Sequence, residues 1–502
     1  MSMAHVKAML STPEAIRADA VAFLVFQEKE IYASQLESLG DAVPLSIMSH
    51  DSRAFEGKED QTLLLHPRGW KTPQLILIGA GKAASLDLEK LRRAAATAAK
   101  TAKALKARSI AIIAPSRTPD HLGHEEIAHA LAEGAALSVY RFDKYLTDPQ
   151  KKNGSLREIQ VVTATRAHLK KFVEGVRRAT IVIEATCLAR DLENAPGNEI
   201  VPRSLAEEAR AAGRKAGFNV TVFDERRIAR LKMGGLLGVS QASVQPPRFI
   251  VMEYNRLASR RGTVVLVGKG ITFDAGGISI KPAANMAEMK MDMSGAAAVL
   301  GTLQAVARLR LPVHIVGLVP AAENVLGGGG LKPGDILTHY NGKTSEIDNT
   351  DAEGRLILAD ALSYASRYKP DLVIDLATLT GAVVVALGHV ATGMLGNDEP
   401  LMARLKEAGE RTHERVWQLP MFEEYEQLVK SDIADVKNTG GRWAGAITAA
   451  MFLKQFIGNY RWIHLDIAGT AIMEEAFPYI PKGGSGVGVR LLTDFLTHWR
   501  TD

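Results

Sequence analysis

The sequence predicts an α/β fold of two domains. A smaller N-terminal α/β domain precedes a larger C-terminal domain built on a mixed, mostly parallel sheet flanked by helices. Three observations predict this. The 502 residues exceed what one hydrophobic core accommodates. TVVLVG (263–268), VHIVGLVP (313–320) and DLVIDLA (371–377) are short and almost wholly apolar, the signature of strands covered on both faces of a parallel sheet. Between them lie the helix-like SGAAAVLGTLQAVARL (294–309) and RLILADALSYASRY (355–368), the second stopped by Pro370.

Taken from the N-terminus, the apolar run 20–26 follows Glu14, Arg17 and Asp19 without a signal-peptide cleavage pattern. QLILIGAG (74–81) reads as a strand and turn, LEKLRRAAATAAKTAKALKA (88–107) as an Ala-rich helix, SIAIIAP (109–115) as a strand and EEIAHALAEGAALSVYRF (125–142) as a helix. The polar DPQKKNGSLRE (148–158) reads as a surface loop. Phe172, Val176, Ala179, Ile183 and Cys187 then recur at steps of four and three, giving one apolar helix face that ends at NAPG (194–197). The expected division is a smaller α/β domain over 1–165, a connecting helix over 166–194 and a larger domain over 195–502. LATLTGAVVVALGHVATGMLGN (376–397) has no formal charge and is long enough to span a bilayer. Its four Gly, three Thr and one His favour a buried strand followed by a Gly-rich loop, so no membrane partner is expected.

The bulk numbers exclude little else. The chain is 46% hydrophobic and 23% charged, ordinary for a soluble domain. Lys and Arg exceed Asp and Glu by only five, a weak argument for nucleic acid, although the pI near 9.0 leaves DNA open as a secondary partner. The single cysteine permits no intrachain disulfide and fits a reducing cytoplasm.

The chemistry lies at the strand ends. KGITFDAGGISIKP follows the first core strand with Lys269, Asp274 and Lys281. EMKMDMSG carries Asp292 into the 294–309 helix, and DNTDAEGR carries Asp351, Glu353 and Arg355 into the 355–368 helix. Ligands of such sheets bind beyond the carboxyl ends of the strands, so these groups can meet on one rim. In an extended segment, Asp351, Glu353 and Arg355 would share one face. Alone, DAEGR also reads as an acidic helix start. Four carboxylates in one pocket repel unless cations sit among them. Two divalent ions would balance them, with oxygen-rich ligation suiting Mn²⁺, Mg²⁺ or Zn²⁺. Such a pair can hold a bridging hydroxide and polarise a carbonyl or phosphoryl oxygen.

VGKGITFDAGGISIKP, MKMDMSGAA and NTDAEGRLILADAL together resemble the leucyl aminopeptidase (cytosol aminopeptidase) family. LENAPGNEIVPRSLA, LKMGGLLGVSQAS, IDLATLTGA, SDIADVKNTGGRWAGAITAAMFL and HLDIAGTA extend the likeness over 165–502; residues 1–165 match loosely, chiefly around YRFDKY. The resemblance implies a metal-dependent aminopeptidase acting on peptides with a free N-terminus, preferably Leu or other apolar residues. It implies that Asp274 and Glu353 touch two metal ions, that Lys269 and Asp292 complete the tighter site, and that Asp351 completes the exchangeable one. Lys269 would have to be neutral to coordinate. Lys281 would polarise the scissile carbonyl, Arg355 would hold a bicarbonate general base, and Met289, Thr378, Gly381, Ala468 and Ala471 would surround the side-chain pocket. It further implies a cytoplasmic homohexamer, a dimer of trimers, with Mn²⁺ the foremost metal. Some bacterial members bind DNA, which makes a DNA-binding accessory role the alternative. Ser294 stands where relatives often carry Cys or Gly; it follows Met293 and is no ligand.

Two motifs lead elsewhere and fail. IGAGKAAS (78–85) lacks the first Gly of a phosphate loop, since position 76 is Ile. The histidines of HEEIAH (124–129) are five apart, so they diverge by ~140° on a helix and read as solvent-facing. A two-metal phosphoesterase is the rival enzyme, but no His lies in the motifs, and a lysine ligand fits it poorly.

Overall fold

The computed structural model describes residues 4–44, 47, 54–148 and 156–500, which form two units. The first comprises Met1–Glu184 and Glu475–Pro481. Among its described residues, a six-stranded sheet has the order His5–Leu10, Glu158–Thr163, Ser109–Ile113, Ala20–Val25, Gln74–Gly79, Thr62–Leu65, all parallel except the last. The helices Leu88–Ala104 and His124–Ser138 pack on each other. Alanine lets them approach closely, and a Cβ on Gly134 would lie 2.1 Å from the Arg92 carbonyl. The contact encloses an Arg92–Glu133 ion pair at 2.5 Å. The second helix stops at Ser138, short of the expected 142. The loop expected over 148–158 lies largely outside the described residues. His124 does not simply face solvent: its ring stacks on His168 with centroids 3.6 Å apart.

Helix Leu169–Asn194 belongs to the first unit as far as Glu184 and to the second from Ala185. The second unit is built on a nine-stranded sheet. Arg461–Asp466, Leu372–Ala377, Thr263–Gly268 and His314–Asn324 run parallel at its centre. Thr392–Gly396 and Arg248–Tyr254 are antiparallel neighbours on either side, which makes the sheet mixed. The central strands are buried along almost their whole length, and so is every residue of helix Glu353–Ala365, which explains their nearly continuous apolar sequences. The 313–320 strand runs on to Asn324, where Gly270–Asp274 pairs with its far end.

The uncharged 376–397 stretch closes strand Leu372–Ala377, then forms a short helix Gly381–Leu387 and strand Thr392–Gly396. No helix among the described residues is long and apolar enough to cross a membrane. Close contact between strand and helix requires glycine at Gly295, where a Cβ would meet the Leu376 carbonyl at 2.1 Å and the Lys269 nitrogen at 2.8 Å. Both are backbone atoms and cannot swing away. Gly295→Ala is expected to cost about 3 kcal/mol, read as a lower melting temperature; a variant melting with the wild type would show that the two segments separate easily.

Candidate active site

Four segments bring the charged residues together at the carboxyl end of the central strands. Lys269 leaves strand Thr263–Gly268 with its N–H on the Leu376 carbonyl (3.0 Å) and its carbonyl accepting from Ala296 N (2.9 Å). Its backbone is thus clamped between a neighbouring strand and helix Ser294–Leu309. Asp274 ends strand Gly270–Asp274. Gly276 and Gly277, at φ of +88° and +67°, then reverse the chain so that Lys281 N reaches the Ala275 carbonyl (3.0 Å). Lys281 therefore returns over Asp274. Asp292 lies two residues before helix Ser294–Leu309, and Glu353 opens helix Glu353–Ala365.

This corrects the extended reading of DNTDAEGR. Asp351 lies in a turn, and Glu353 and Arg355 lie in the first turn of a helix, so they converge without strand alternation. Between them, a Cβ on Gly354 would sit 2.6 Å from Lys269 Cε, so the glycine makes room for the lysine stem.

The ions interlock. Lys269 Nζ lies 2.8 Å from Asp292 Oδ2 and 2.9 Å from Glu353 Oε1; Lys281 Nζ lies 2.9 Å from Asp274 Oδ2 and 2.5 Å from Asp351 Oδ1. Burial alone would lower the pKa of both lysines, but the surrounding carboxylates outweigh it and hold both above the ordinary lysine value. Burial pushes Asp292, Glu353 and Asp351 up, with further push from Asp274. Two ammonium groups thus face four carboxylates, and the acids remain under-compensated.

That deficit is what a cation set would fill. Asp274, Asp351 and Glu353 each offer an oxygen within 4.8 Å of the others'. The donor set fits hard or borderline divalent ions, and each lysine nitrogen already stands between two carboxylates, where positive charge is needed.

These groups border a cavity of about 410 Å³. Lys269, Asp274, Lys281, Asp292, Asp351 and Arg355 line its polar part, and Glu353 is buried beneath. Arg355 donates from Nη1 to the Asn438 carbonyl (2.7 Å), while its buried Nε has no acceptor among the described residues. Burial lowers its pKa to about 10, against the opposing pull of Glu353 and Asp466. A cavity-lining guanidinium with an unused N–H suits a small oxyanion. Met289, Thr378, Gly381 and Ala468 line the apolar wall. Ala471 does not: it is fully buried, and its neighbour Ile472 lines the cavity instead, beside Leu379 and Val384.

Sequence reasoning passed over Asn324. Its side-chain amide donates to Asp274 Oδ1 (2.8 Å) and Glu353 Oε2 (3.3 Å), as well as to the Thr350 carbonyl (3.1 Å). The oxygens it takes are those turned away from the lysines, so it aims the other oxygen of each carboxylate at the cation slot. No motif spacing marks it; only the extension of its strand into the rim does. Asn324→Ala is expected to weaken Mn²⁺ binding ~10–100-fold, measured by calorimetry on chelator-treated protein. An unchanged isotherm would mean the carboxylates orient themselves.

Comparison with known proteins finds relatives along almost the whole chain. The model for the cytosol aminopeptidase family, catalytic domain, matches residues 187–493, and that for the family's N-terminal domain matches 45–149. A probable cytosol aminopeptidase of Roseiflexus castenholzii is 48% identical over 452 residues, covering 89% of this chain and 91% of its own. One from Chloroherpeton thalassium is 41% identical over 512 residues, covering 98% and 99%. Among solved structures, the bottromycin maturation enzyme BotP in complex with Mn superposes with a TM-score of 0.85 at 35% identity, covering 96% of this chain and 99% of its own. A tomato leucine aminopeptidase mutant gives 0.86 at 32% identity, covering 99% and 97%.

Proposed function

The chain belongs to the cytosol aminopeptidase family and is a metallo-aminopeptidase, and from that premise we propose that it releases N-terminal Leu and similar apolar residues from peptides in the cytoplasm. The observation that carries this reading is the junction, in one cavity, of an under-compensated acidic cluster with an apolar wall. Asp274 and Glu353 would be shared by two divalent ions, Lys269 and Asp292 would complete the tighter site, and Asp351 the other. When bound, the ions, with Mn²⁺ foremost, would supply Lewis acidity, lower the pKa of water and anchor the peptide's free amine.

The chain's own residues do the rest. Lys281 is the more open of the two ammonium groups, at 21% side-chain exposure against 3% for Lys269. It would donate to the carbonyl oxygen as negative charge grows there. Arg355, which lines the cavity, would hold bicarbonate, supplying a base. Met289, Thr378, Gly381 and Ala468 would receive the first side chain and exclude acidic ones. One methylene there is worth only ~1–3 kcal/mol, so the preference is broad. Residues 195–502 would hold all of this machinery, and residues 1–165 would serve assembly into a homohexamer.

The test is hydrolysis of leucine p-nitroanilide by chelated protein with Mn²⁺, Zn²⁺ or Mg²⁺ restored, beside the N-acetylated substrate. Metal-restored cleavage of the free-amine substrate alone is expected. Failure with every ion in folded protein would overturn the reading.

A further inference from the structure

Asp466 closes strand Arg461–Asp466, is fully buried and does not line the cavity. Burying a carboxylate is costly unless donors surround it. Here they come from two separate segments. Oδ1 accepts from Leu379 N (3.1 Å), Thr380 N (3.3 Å) and Ala468 N (3.3 Å); Oδ2 accepts from Thr380 Oγ1 (2.6 Å). The Thr380 hydroxyl also accepts from Val383 N (3.1 Å), capping helix Gly381–Leu387.

The strand beneath is equally fixed. Trp462 Nε1 and His464 Nδ1 both donate to the buried Asp375 on the adjoining strand, at 2.7 and 2.6 Å. The other side of the 378–380 loop grips the charged cluster. The Thr378 carbonyl accepts from Lys269 Nζ (2.9 Å), and the Thr378 hydroxyl donates to Asp292 Oδ1 (2.6 Å).

We propose that Asp466 is the positioning residue that sets the width of the side-chain pocket and, through the 378–380 loop, the placement of Lys269 and Asp292. One carboxylate ties the backbone of Thr380 to that of Ala468, and both residues line the cavity. The loop it holds touches two of the groups assigned to the tighter cation site. Pocket shape and cation affinity are therefore set by the same bonds. This rests on the aminopeptidase reading for its specificity part, and on the cation cluster alone for its affinity part.

Three variants test it: Asp466→Ala, Asp466→Asn and Thr380→Val. Asparagine keeps an oxygen for the three backbone N–H groups and can donate to the Thr380 hydroxyl, so it is expected to stay close to wild type. Asp466→Ala is expected to lower the ratio of kcat/KM for leucine over alanine p-nitroanilide about tenfold. It is also expected to weaken Mn²⁺ at the tighter site about tenfold, read by calorimetry. Thr380→Val removes one donor and should lower the ratio in the same direction; it carries the test if Asp466→Ala does not fold. A folded Asp466→Ala, or failing that a folded Thr380→Val, with unchanged ratio and unchanged Mn²⁺ affinity would overturn the proposal. If the wild type cleaves neither substrate, the functional reading falls, and the calorimetric comparison still decides the role of Asp466.

Discussion

Glu353→Gln is expected to lower kcat/KM at saturating Mn²⁺ by about a thousandfold. Glu353 is buried to 1% exposure, and its two oxygens are already divided between Lys269 and Asn324. The amide keeps the shape but removes the charge that the cations need. Loss of several kcal/mol of transition-state stabilisation, at ~1.4 kcal/mol per tenfold, gives that factor. Metal content per chain should fall in parallel. A variant with full metal content and full rate would remove Glu353 from the ligand set.

The same variant should behave oppositely without metal. Burial, then Asp274, raises the Glu353 pKa. A raised folded-state pKa means stability that is whole below the unfolded value and lost as pH rises through the folded one. The metal-free wild type should therefore lose stability as pH climbs above the ordinary glutamate range, and Glu353→Gln should lose less of it. Thermal melts in chelator across that range measure the difference. A residue that weakens the metal-free fold while serving the loaded site is placed there for chemistry.

Lys281→Ala is expected to lower kcat ~10²–10³-fold with little change in KM. The ammonium lies between Asp274 and Asp351 and lines the cavity. Its removal leaves both carboxylates free for cations, so bound Mn²⁺ should not fall. Reduced metal content with proportionate loss of rate would instead make Lys281 a structural counter-ion.

The charged rim was legible in the sequence because its residues follow recognisable strands and open recognisable helices. Lys269, Asp274 and Asp292 needed only that pattern. DNTDAEGR was read with the wrong backbone, since alternate positions in a turn followed by a helix start can converge as well as those in a strand. Ala471 was placed on the pocket wall, and the chain turns it inward one residue before Ile472. Strands such as His5–Leu10 and Thr62–Leu65 escaped notice because they are short and only partly buried, so their sequences carry neither a long apolar run nor a clear alternation. Asn324 and Asp466 were silent for a different reason. Each works mainly through hydrogen bonds to groups distant in the chain, and nothing in local spacing records such partners.

The two lysines have a consequence for how the protein matures. Lys269 and Lys281 already bridge the acids in pairs, so the fold does not wait for an ion to hold those segments together. Polypeptide synthesis and metallation become separate events. This differs from small metal-dependent domains, whose folding free energy comes from the ion itself. A cell short of its metal would accumulate a folded, dormant pool of the protein, which resupply would switch on without new translation.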